Sequence, residues 1–366
     1  MSSISTTINN GIELGIAYAS PLTITASGFV NAGTSGYHGA AVYAAAAAVL
    51  ALVNQGRISI AGTGVAVFEG TDQRLTLNNS GTIGAVADAV YLQHYGPITN
   101  SGTILSTAAI AINDSSALQV TNATGDLISG YGVAIKAPAA GVTNDGTIRG
   151  TSTHSIAIYL NGGASSTVDN TGLIAASYNA LEIVGAANVS NSSAGTISAT
   201  ANWGIRINGA ATITNDGTIS GGANAIHLFS DSTVVNTGHI AGADAIIAAG
   251  ALSLANAGTI AGTYGTGIVL GSGTVSNSAS GLISSVGYTA VTISGGAGTV
   301  TNAGTITGYA GVAFYAAGTA SQTLIDSGTI IGSGGAAISF GAGIDCADGE
   351  VHQVQAGAGQ RACAGS

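Results

Sequence analysis

The sequence predicts an all-β protein, a single parallel β-helix (β-solenoid) of about 14 turns, each built from three short strands. Three observations predict this class. A six-residue phrase recurs at regular intervals, an aliphatic phrase accompanies it, and abundant glycine is combined with very little charge. Glycine accounts for 58 of 366 residues, 46% of the chain is hydrophobic and only 6% is charged. A chain this apolar can bury a core, whereas disordered chains have low hydrophobicity or high charge.

The recurrent phrase reads TNDGTI at residues 143–148 and again at 214–219, with near-copies such as TNSGTI and TNAGTI elsewhere. Its glycine recurs every 20 to 26 residues, a spacing typical of a solenoid in which each repeat forms one turn. Fourteen glycines mark the copies: Gly33, Gly56, Gly81, Gly102, Gly125, Gly146, Gly172, Gly195, Gly217, Gly238, Gly258, Gly281, Gly304 and Gly328.

An asparagine precedes most of these glycines, and we expect it to form the corner of each turn. Stacked identical amides bond along the axis as a ladder, and asparagine tolerates left-handed backbone and bonds its own bend. The glycine is expected to supply a second unusual dihedral. The predicted ladder is Asn54, Asn79, Asn100, Asn144, Asn170, Asn215, Asn236, Asn256 and Asn302, with Asp326 in the last place, and a longer version of the phrase occurs at Asn122, Asn191 and Asn277.

The second phrase alternates aliphatic and variable residues, as in GVAIK, NALEI and NAIHL. This alternation predicts a strand with one buried face, and a third short strand leads into the corner. One unit cannot bury its apolar face alone, so we expect turns to stack with parallel strands about 4.8 Å apart. Ile, Val and Leu then point into a narrow core while the variable residue faces outward. The rule for parallel crossovers favours a right-handed coil.

The predicted organisation is one repeat region with two flanking segments. Residues 1–30 are predicted as an N-terminal lead-in or cap, 31–335 as the solenoid, and 336–366 as a C-terminal tail or cap. Residues 39–53 look like a helix or a membrane span. They are fewer than the roughly 20 residues that a span needs, so we expect another turn of the repeat there.

Two features bear on the cellular compartment. Cys346 and Cys363 either form a disulfide that closes the tail of an exported protein or remain two inert thiols. The N-terminal stretch MSSISTTINNGIELG has no basic n-region and no apolar h-region, so no classical signal peptide is predicted. Export by another route, a signal already removed and an intracellular location are all left open at this point.

Charge and spacing exclude several functions. The formal net charge is −10 and the six basic residues form no cluster, so we expect no nucleic acid partner and no anchoring or insertion in a membrane. No metal-ligand spacing joins the scattered histidines, and neither a cofactor nor a metal is expected. A calcium site in DCADGE, at residues 345–350, is less favoured than a solvated tail. The histidines expected at the surface or at corners are His38, His94, His154 and His239.

Paired acids of the glycosidase type are not predicted. Asp145 and Asp216 occupy the same corner slot, but three turns separate them, which corresponds to about 14 Å along a stack of strands. Glycosidase carboxylates lie roughly 5 to 9.5 Å apart. We therefore expect each of the two to sit in a solvated bend, and no catalytic residue is assigned.

One local group of residues is a candidate ligand patch. Glu182, Arg206 and His227 hold the variable position on three successive turns, so we expect them to face outward and stack. Trp203 and Asn224 lie close by in the sequence of the same strands. The functional hypothesis is a sugar-contacting patch made of an aromatic face, an arginine and a carboxylate. The alternative is a cross-strand ion pair, which contributes a few tenths to about 1 kcal/mol.

The N-x-G-T-I turns, over about residues 31–335, resemble passenger segments of bacterial autotransporters and filamentous-haemagglutinin-like adhesins. The resemblance lies in the style of the repeat and involves no catalytic motif. It implies a surface or secreted protein used for adhesion, aggregation or biofilm formation.

The function expected from the sequence is therefore a non-enzymatic bacterial extracellular or cell-surface structural or adhesive protein. Self-association through the solenoid ends would build filaments, and glycans or cell surfaces are the other expected partners. The alternative is a carbohydrate-binding or polysaccharide-degrading β-helix protein.

Overall fold

The computed structural model describes residues 2–34, 36, 38–45, 49–70, 74–315, 320–340 and 354–356. The chain divides into two compact units, Met1–Ala186 and Ala187–Ser366, here called unit 1 and unit 2. The described residues of both are all-β, contain no helix and form parallel stacked strands, about 14 turns of a β-solenoid in total. This confirms the predicted fold class.

Unit 1 is a succession of short strands, three to a turn. They are β1 (Ser2–Ile4), β2 (Thr7–Ile8), β3 (Ile12–Leu14), β4 (Leu22–Ile24), β5 (Phe29–Asn31), β6 (Ala40–Ala44), β7 (Val49–Asn54), β8 (Arg57–Ile60), β9 (Val65–Glu69), β10 (Arg74–Asn79), β11 (Thr82–Ala85), β12 (Val90–Leu92), β13 (Pro97–Asn100), β14 (Thr103–Ser106), β15 (Ile110–Asp114), β16 (Ala117–Asn122), β17 (Leu127–Gly130), β18 (Val133–Ala137), β19 (Ala139–Asn144), β20 (Thr147–Gly150), β21 (Ile156–Leu160), β22 (Ser166–Asn170), β23 (Leu173–Ala176) and β24 (Asn179–Ile183).

Unit 2 repeats the pattern, except that some strands run on through a bend without interruption. They are β25 (Ala187–Asn191), β26 (Thr196–Ala199), β27 (Trp203–Ile207), β28 (Ala211–Asn215), β29 (Thr218–Leu228), β30 (Ser232–Asn236), β31 (His239–Asn256), β32 (Thr259–Gly262), β33 (Ile268–Asn277), β34 (Leu282–Ser285), β35 (Thr289–Ile293), β36 (Gly298–Asn302), β37 (Thr305–Gly308), β38 (Ala310–Phe314), β39 (Gln322–Asp326), β40 (Thr329–Gly332), β41 (Ile338–Phe340) and β42 (Val354–Ala356).

Within each unit the strands pair in parallel with the equivalent strand one turn on, and the register brings equivalent letters of the repeat together. Strand β10 pairs with β13 so that Asn79 lies opposite Asn100, and β11 pairs with β14 so that Ile83 lies opposite Ile104. The long strands β29 and β31 each continue through a bend. The register shifts there, between Gly221 and Asn224 in β29 and between Ala248 and Ala251 in β31. The repeat in the sequence is therefore the repeat in space.

The core is the column of inward residues that the alternation predicts. In β21 the burial pattern places Ala157, Ile158 and Leu160 inside and leaves Tyr159 half-buried on the outer face. Where an isoleucine follows the corner glycine it is fully buried, as Ile83 and Ile148 illustrate. The predicted division into inward Ile, Val and Leu and an outward variable residue is confirmed.

The alanine-rich segment forms part of the coil, as expected from its sequence. Strand β6 pairs with β3 and β9, and β7 pairs with β4 and β10, so the described residues on both sides of 46–48 follow the common register. The described residues of the segment 1–30, predicted as a lead-in or cap, already form strands β1 to β5 with the same parallel pairing, and β5 runs on to Asn31. Most of the predicted tail, 336–366, lies outside the described residues, including both cysteines.

The conformational reason given for the corner residues is wrong. Among the described residues the one non-glycine with positive φ is His38, so the corner asparagines are not left-handed. Of the marker glycines only Gly33 and Gly125 have positive φ. The glycines are needed for space: a Cβ on Gly81 would overlap the carbonyl oxygen of Gly56, and later corners repeat this contact. The corner is a close stack of backbones, one turn upon the next.

Candidate functional site

The corner asparagines of unit 1 form a buried, hydrogen-bonded ladder. The Nδ2 of each amide donates to the Oδ1 of the amide one turn on, at 2.7–2.8 Å. The same Nδ2 also bonds the corner backbone: that of Asn144 donates to the carbonyl oxygens of Gly146 and Leu173, each at 3.2 Å. The members are Asn54, Asn79, Asn100, Asn122, Asn144 and Asn170.

Unit 2 has a ladder of the same geometry, with Nδ2 to Oδ1 distances of 2.7–2.8 Å. Its members are Asn191, Asn215, Asn236, Asn256, Asn277, Asn302 and Asp326. The asparagines of the longer phrases belong to the ladders, because their amides reach a carbonyl four residues on instead of two. The predicted ladder is confirmed, and its role is structural.

Both ladders run in one direction and have distinct ends. Asn54 lies opposite Ile24, which offers nothing to bond, and its buried Oδ1 has no hydrogen-bond partner. Asp326 accepts hydrogen bonds from Asn302 Nδ2 at 2.7 Å and from the Gly328 N–H at 3.1 Å. A carboxylate has no N–H to pass forward, so Asp326 ends the series of donors.

Four members of the predicted ligand patch lie together in unit 2. Register pairs Trp203 with Asn224 and Arg206 with His227. Trp203 Nε1 donates to Asn224 Oδ1 at 3.0 Å, and Arg206 Cζ lies 4.9 Å from the centre of the Trp203 ring. Glu182 lies on β24 of unit 1, where its carboxylate accepts a hydrogen bond from Asn179 Nδ2 at 2.7 Å.

Phe229 completes this group, although the sequence did not single it out. Its ring lies 5.0 Å from Arg206 Cζ and stacks on His227 with a centroid distance of 4.3 Å. Arg206 therefore contacts two aromatic rings, those of Trp203 and Phe229. Burial, and then the charge of Arg206, lower the pKa of His227. The group can hold a neutral imidazole and a cation against aromatic surface, and the Trp203 indole N–H is already bonded to Asn224.

Two buried acids in unit 1 were missed from the sequence. Glu69 and Asp114 are 0% and 3% exposed, and they hold the inward position at the ends of β9 and β15. The phrases VAVFE and AIAIND place an acid where copies such as IAIYL, NALEI and VAIKA place Leu, Ile or Ala, which is the signal that could have found them. His94, expected at the surface or at a corner, is half-buried, and its backbone N–H bonds Glu69.

A surface feature of unit 2, here called the tyrosine corner, consists of Tyr264, Val286, Tyr288 and Tyr309. These side chains are 81%, 69%, 56% and 51% exposed, and they follow β32, β34 and β37, which are three successive turns. The segments 263–267, 286–288 and 309–311 contain no charged residue. The Tyr309 ring packs against the backbone of Gly334 and Gly335 on the next turn, so it is held in place from one side.

The two corner aspartates each bond a threonine of the following turn. Thr171 Oγ1 donates to Asp145 Oδ1, and Thr237 Oγ1 donates to Asp216 Oδ1. Both bonds are solvent-exposed, in agreement with the expected solvated bends.

The remaining predicted positions give no site. His38, His154 and His239 are exposed, as expected. The acidic stretch 345–350 and the cysteines Cys346 and Cys363 lie outside the described residues. In the part of the chain that the structure describes, no group of three or more His, Cys, Asp and Glu side chains could hold a metal ion. Nor does any helix there have the length and apolarity to cross a membrane.

Comparisons with protein-family models, with curated proteins and with solved structures find no match to this chain. The structure bears out the parallel β-solenoid that the resemblance to adhesin passenger segments implied.

Proposed function

We propose that this chain is a non-enzymatic structural or adhesive protein that acts at the bacterial cell surface or outside the cell. The observation that supports this most is the tyrosine corner. Contiguous exposed apolar side chains on a soluble protein usually mark an interaction site. Tyrosine with Ser, Gly and Thr around it is a composition that binding surfaces use, because the ring gives a large contact at low entropic cost.

The buried ladders of the core support the same proposal. The polar group that recurs in each turn, the corner amide, is buried in the ladders and is satisfied there by the next turn. Repetition in this chain thus builds a scaffold, and the outer face of a chain with only 6% charged residues is left for broad contacts. A carbohydrate or protein surface without strong charge suits such a face.

Adhesion is tested with the purified chain coupled to beads. We measure bead clumping and bead attachment to bacterial cells and to neutral glycans. The double variant Tyr264→Ser/Tyr288→Ser removes two rings of the tyrosine corner. The matched control, Tyr131→Ser/Tyr178→Ser, removes two exposed tyrosines of unit 1. We expect attachment to fall at least tenfold in the first variant and to persist in the control. Wild-type beads that attach to nothing, or a first variant that attaches like wild type, would refute the proposal.

Self-association through the first turn is part of this proposal. Strands β1 and β2 pair with β4 and β5, and among the described residues their opposite edge has no partner strand. Open edges template the addition of another strand. The Ser2 N–H donates to the carbonyl oxygen of Pro21, and the carbonyl oxygen of Ile4 accepts from the Thr25 N–H. Because successive residues of a strand point to opposite edges, the N–H of the intervening Ser3 points to the open edge. Ser3→Pro should therefore abolish filaments seen by electron microscopy, while Ser3→Thr should keep them.

Carbohydrate binding at the patch is the second candidate, favoured by the aromatic rings that hold Arg206 in place. The variant Trp203→Ala tests it on an array of neutral and acidic glycans. Loss of a wild-type signal would support the patch. Unchanged binding would leave Trp203 and its neighbours a structural cluster.

A further inference from the structure

The inward position at the end of the aliphatic phrase is acidic on two turns of unit 1. Register places Ala44 opposite Glu69 and Leu92 opposite Asp114, so a leucine turn separates the two acids. At about 4.8 Å per turn their backbones lie roughly 10 Å apart. The column that is elsewhere apolar therefore contains two carboxyl groups on either side of Leu92.

Each carboxyl group is only half satisfied. Glu69 Oε2 accepts hydrogen bonds from the N–H groups of Gln93 at 3.0 Å and His94 at 3.1 Å, and Asp114 Oδ1 accepts from the Ser116 N–H at 2.6 Å. The second oxygens, Glu69 Oε1 and Asp114 Oδ2, are buried without a hydrogen-bond partner. A buried carboxylate with an unpaired oxygen is costly, and it ordinarily becomes neutral by taking up a proton.

The ionisable groups around the pair do not supply a strong counter-charge. The charge of His94 lowers the pKa of both acids, and the charge of Asp114 raises the pKa of Glu69. Burial has the larger effect, and it raises the pKa of both. The Tyr43 hydroxyl on the preceding turn lies beside Gly70. Arg74, on the strand that follows, places its guanidinium 5.9 Å from the centre of the Tyr95 ring. The two carboxyl groups therefore face an environment that favours their neutral forms.

We propose that Glu69 and Asp114 form a proton-dependent lock in unit 1: each binds a proton in the folded state at mildly acidic pH, which tightens the turns between β9 and β16. Loss of these protons as pH rises towards neutrality places two unpaired charges in the core and loosens the same turns.

The direction of the effect follows from linkage. Burial raises the pKa of Glu69, and it raises the pKa of Asp114 from 3.8 to about 6. The folded state then holds more protons than the unfolded chain, so stability is gained as pH falls through the folded pKa and is complete below the unfolded pKa. A folded pKa near 6 favours folding on the order of tenfold at pH 5 relative to pH 8 from Asp114 alone.

Denaturant unfolding of the full chain at pH 5 and pH 8 tests the lock. We expect the wild-type midpoint to be higher at pH 5. Asp114→Asn and Glu69→Gln keep the oxygens that accept backbone N–H groups, and each should raise the midpoint at pH 8 more than at pH 5. The matched control, Asp145→Asn at an exposed bend, should leave the pH dependence unchanged. A wild-type midpoint independent of pH, or an Asp114→Asn curve parallel to wild type, would overturn the proposal.

A second measurement needs no variant to fold. Infrared difference spectra of the folded wild-type protein between pH 5 and pH 8 report protonated carboxyl groups directly. We expect a carbonyl band of protonated, solvent-shielded carboxyl groups at pH 5 that disappears at pH 8. Absence of this band at pH 5 would show that both acids are charged in the folded state, and the lock would be excluded.

Discussion

Unit 1 and unit 2 share one ladder geometry and differ in what they bury beside it. In unit 1 the inward column contains Glu69 and Asp114. In unit 2 the equivalent column, from Ile207 through Leu228 to Phe314, is apolar. Unit 2 instead has the ionisable residues Arg206 and His227 in its outward column. The corner thus defines the turn, while the second strand after it tolerates different chemistry.

This difference predicts opposite responses to pH. The acids of unit 1 have raised pKa values, so unit 1 gains stability as pH falls. The pKa of His227 is lowered, so the folded unit 2 binds fewer protons than its unfolded chain and loses stability as pH falls below about 6.5. We therefore expect unit 1 to be more stable at the lower pH and unit 2 to be more stable at the higher pH.

The largest expected effect concerns what the units share. Asn144→Ala in unit 1 and Asn236→Ala in unit 2 each leave buried amide groups on both neighbouring turns without partners, so we expect a loss of about 2–5 kcal/mol in urea unfolding. Asn54→Ala serves as the control, because its Oδ1 has no partner to lose. Equal losses at Asn54 and Asn144 would show that the ladder is not a continuous series of bonds.

The next effect concerns the close approach of backbones at the corners. Gly81→Ala and Gly258→Ala would place a methyl group against the carbonyl oxygen of the preceding corner glycine, Gly56 and Gly238 respectively. Backbone cannot move aside as a side chain does, so we expect a loss of about 1–3 kcal/mol or more in each unit. Gly84→Ala, where no atom lies within 4 Å, should change stability by less than about 1 kcal/mol. A harmless Gly258→Ala would mean that the corners of unit 2 stack differently.

A smaller effect is expected in the outward column of unit 1. Phe68 stacks between Tyr43 and Tyr91, with centroid distances of 5.6 and 5.3 Å. Aromatic pairs contribute about 0.5–1.5 kcal/mol each beyond their buried area, so Phe68→Ala should cost roughly 1–3 kcal/mol. Phe68→Leu keeps apolar volume without the ring, so its stability should lie between those of wild type and Phe68→Ala. If Leu and Ala cost the same, ring stacking contributes nothing here.

The smallest effect is the response of unit 2 to acid. His227→Phe keeps a ring that can stack on Phe229 and removes the group whose protonation is disfavoured. We expect the variant to match wild type at pH 8 and to exceed its thermal midpoint by a few degrees at pH 5. A variant that shifts the midpoint equally at both pH values would assign the effect to packing, not to titration.

The sequence predicts the coil and its ladder well because both depend on spacing, which a repeat displays directly. Asn144 and Asn215 stand at the same place in identical phrases, and the register confirms them as corner residues. The reason for the corner glycine could not be read from one turn, because the atom it avoids belongs to the turn before. Glu69 and Asp114 could not be recognised for a different reason. The phrase is defined by its aliphatic residues, so copies with an acid at the last inward position do not match it.

The candidate patch illustrates the limit of spacing for side chains. Register placed Arg206 beside His227 as expected, but the contact between Arg206 and Phe229 depends on a residue beyond the phrase. The exposure of Tyr264 and Tyr288 likewise depends on bends whose lengths vary between turns. Periodicity predicts which column a residue joins, and the local bends decide what it contacts.

Hydrogen exchange by mass spectrometry at pH 5 and pH 8, corrected for intrinsic rates, tests the central claim that the same ladder geometry serves different cores in the two units. We expect peptides within residues 65–122 to be better protected at pH 5 and peptides within 203–229 to be better protected at pH 8. Ladder corners outside both segments should be protected equally at the two pH values. A common direction of change in the two segments, or no change in either, would contradict the account.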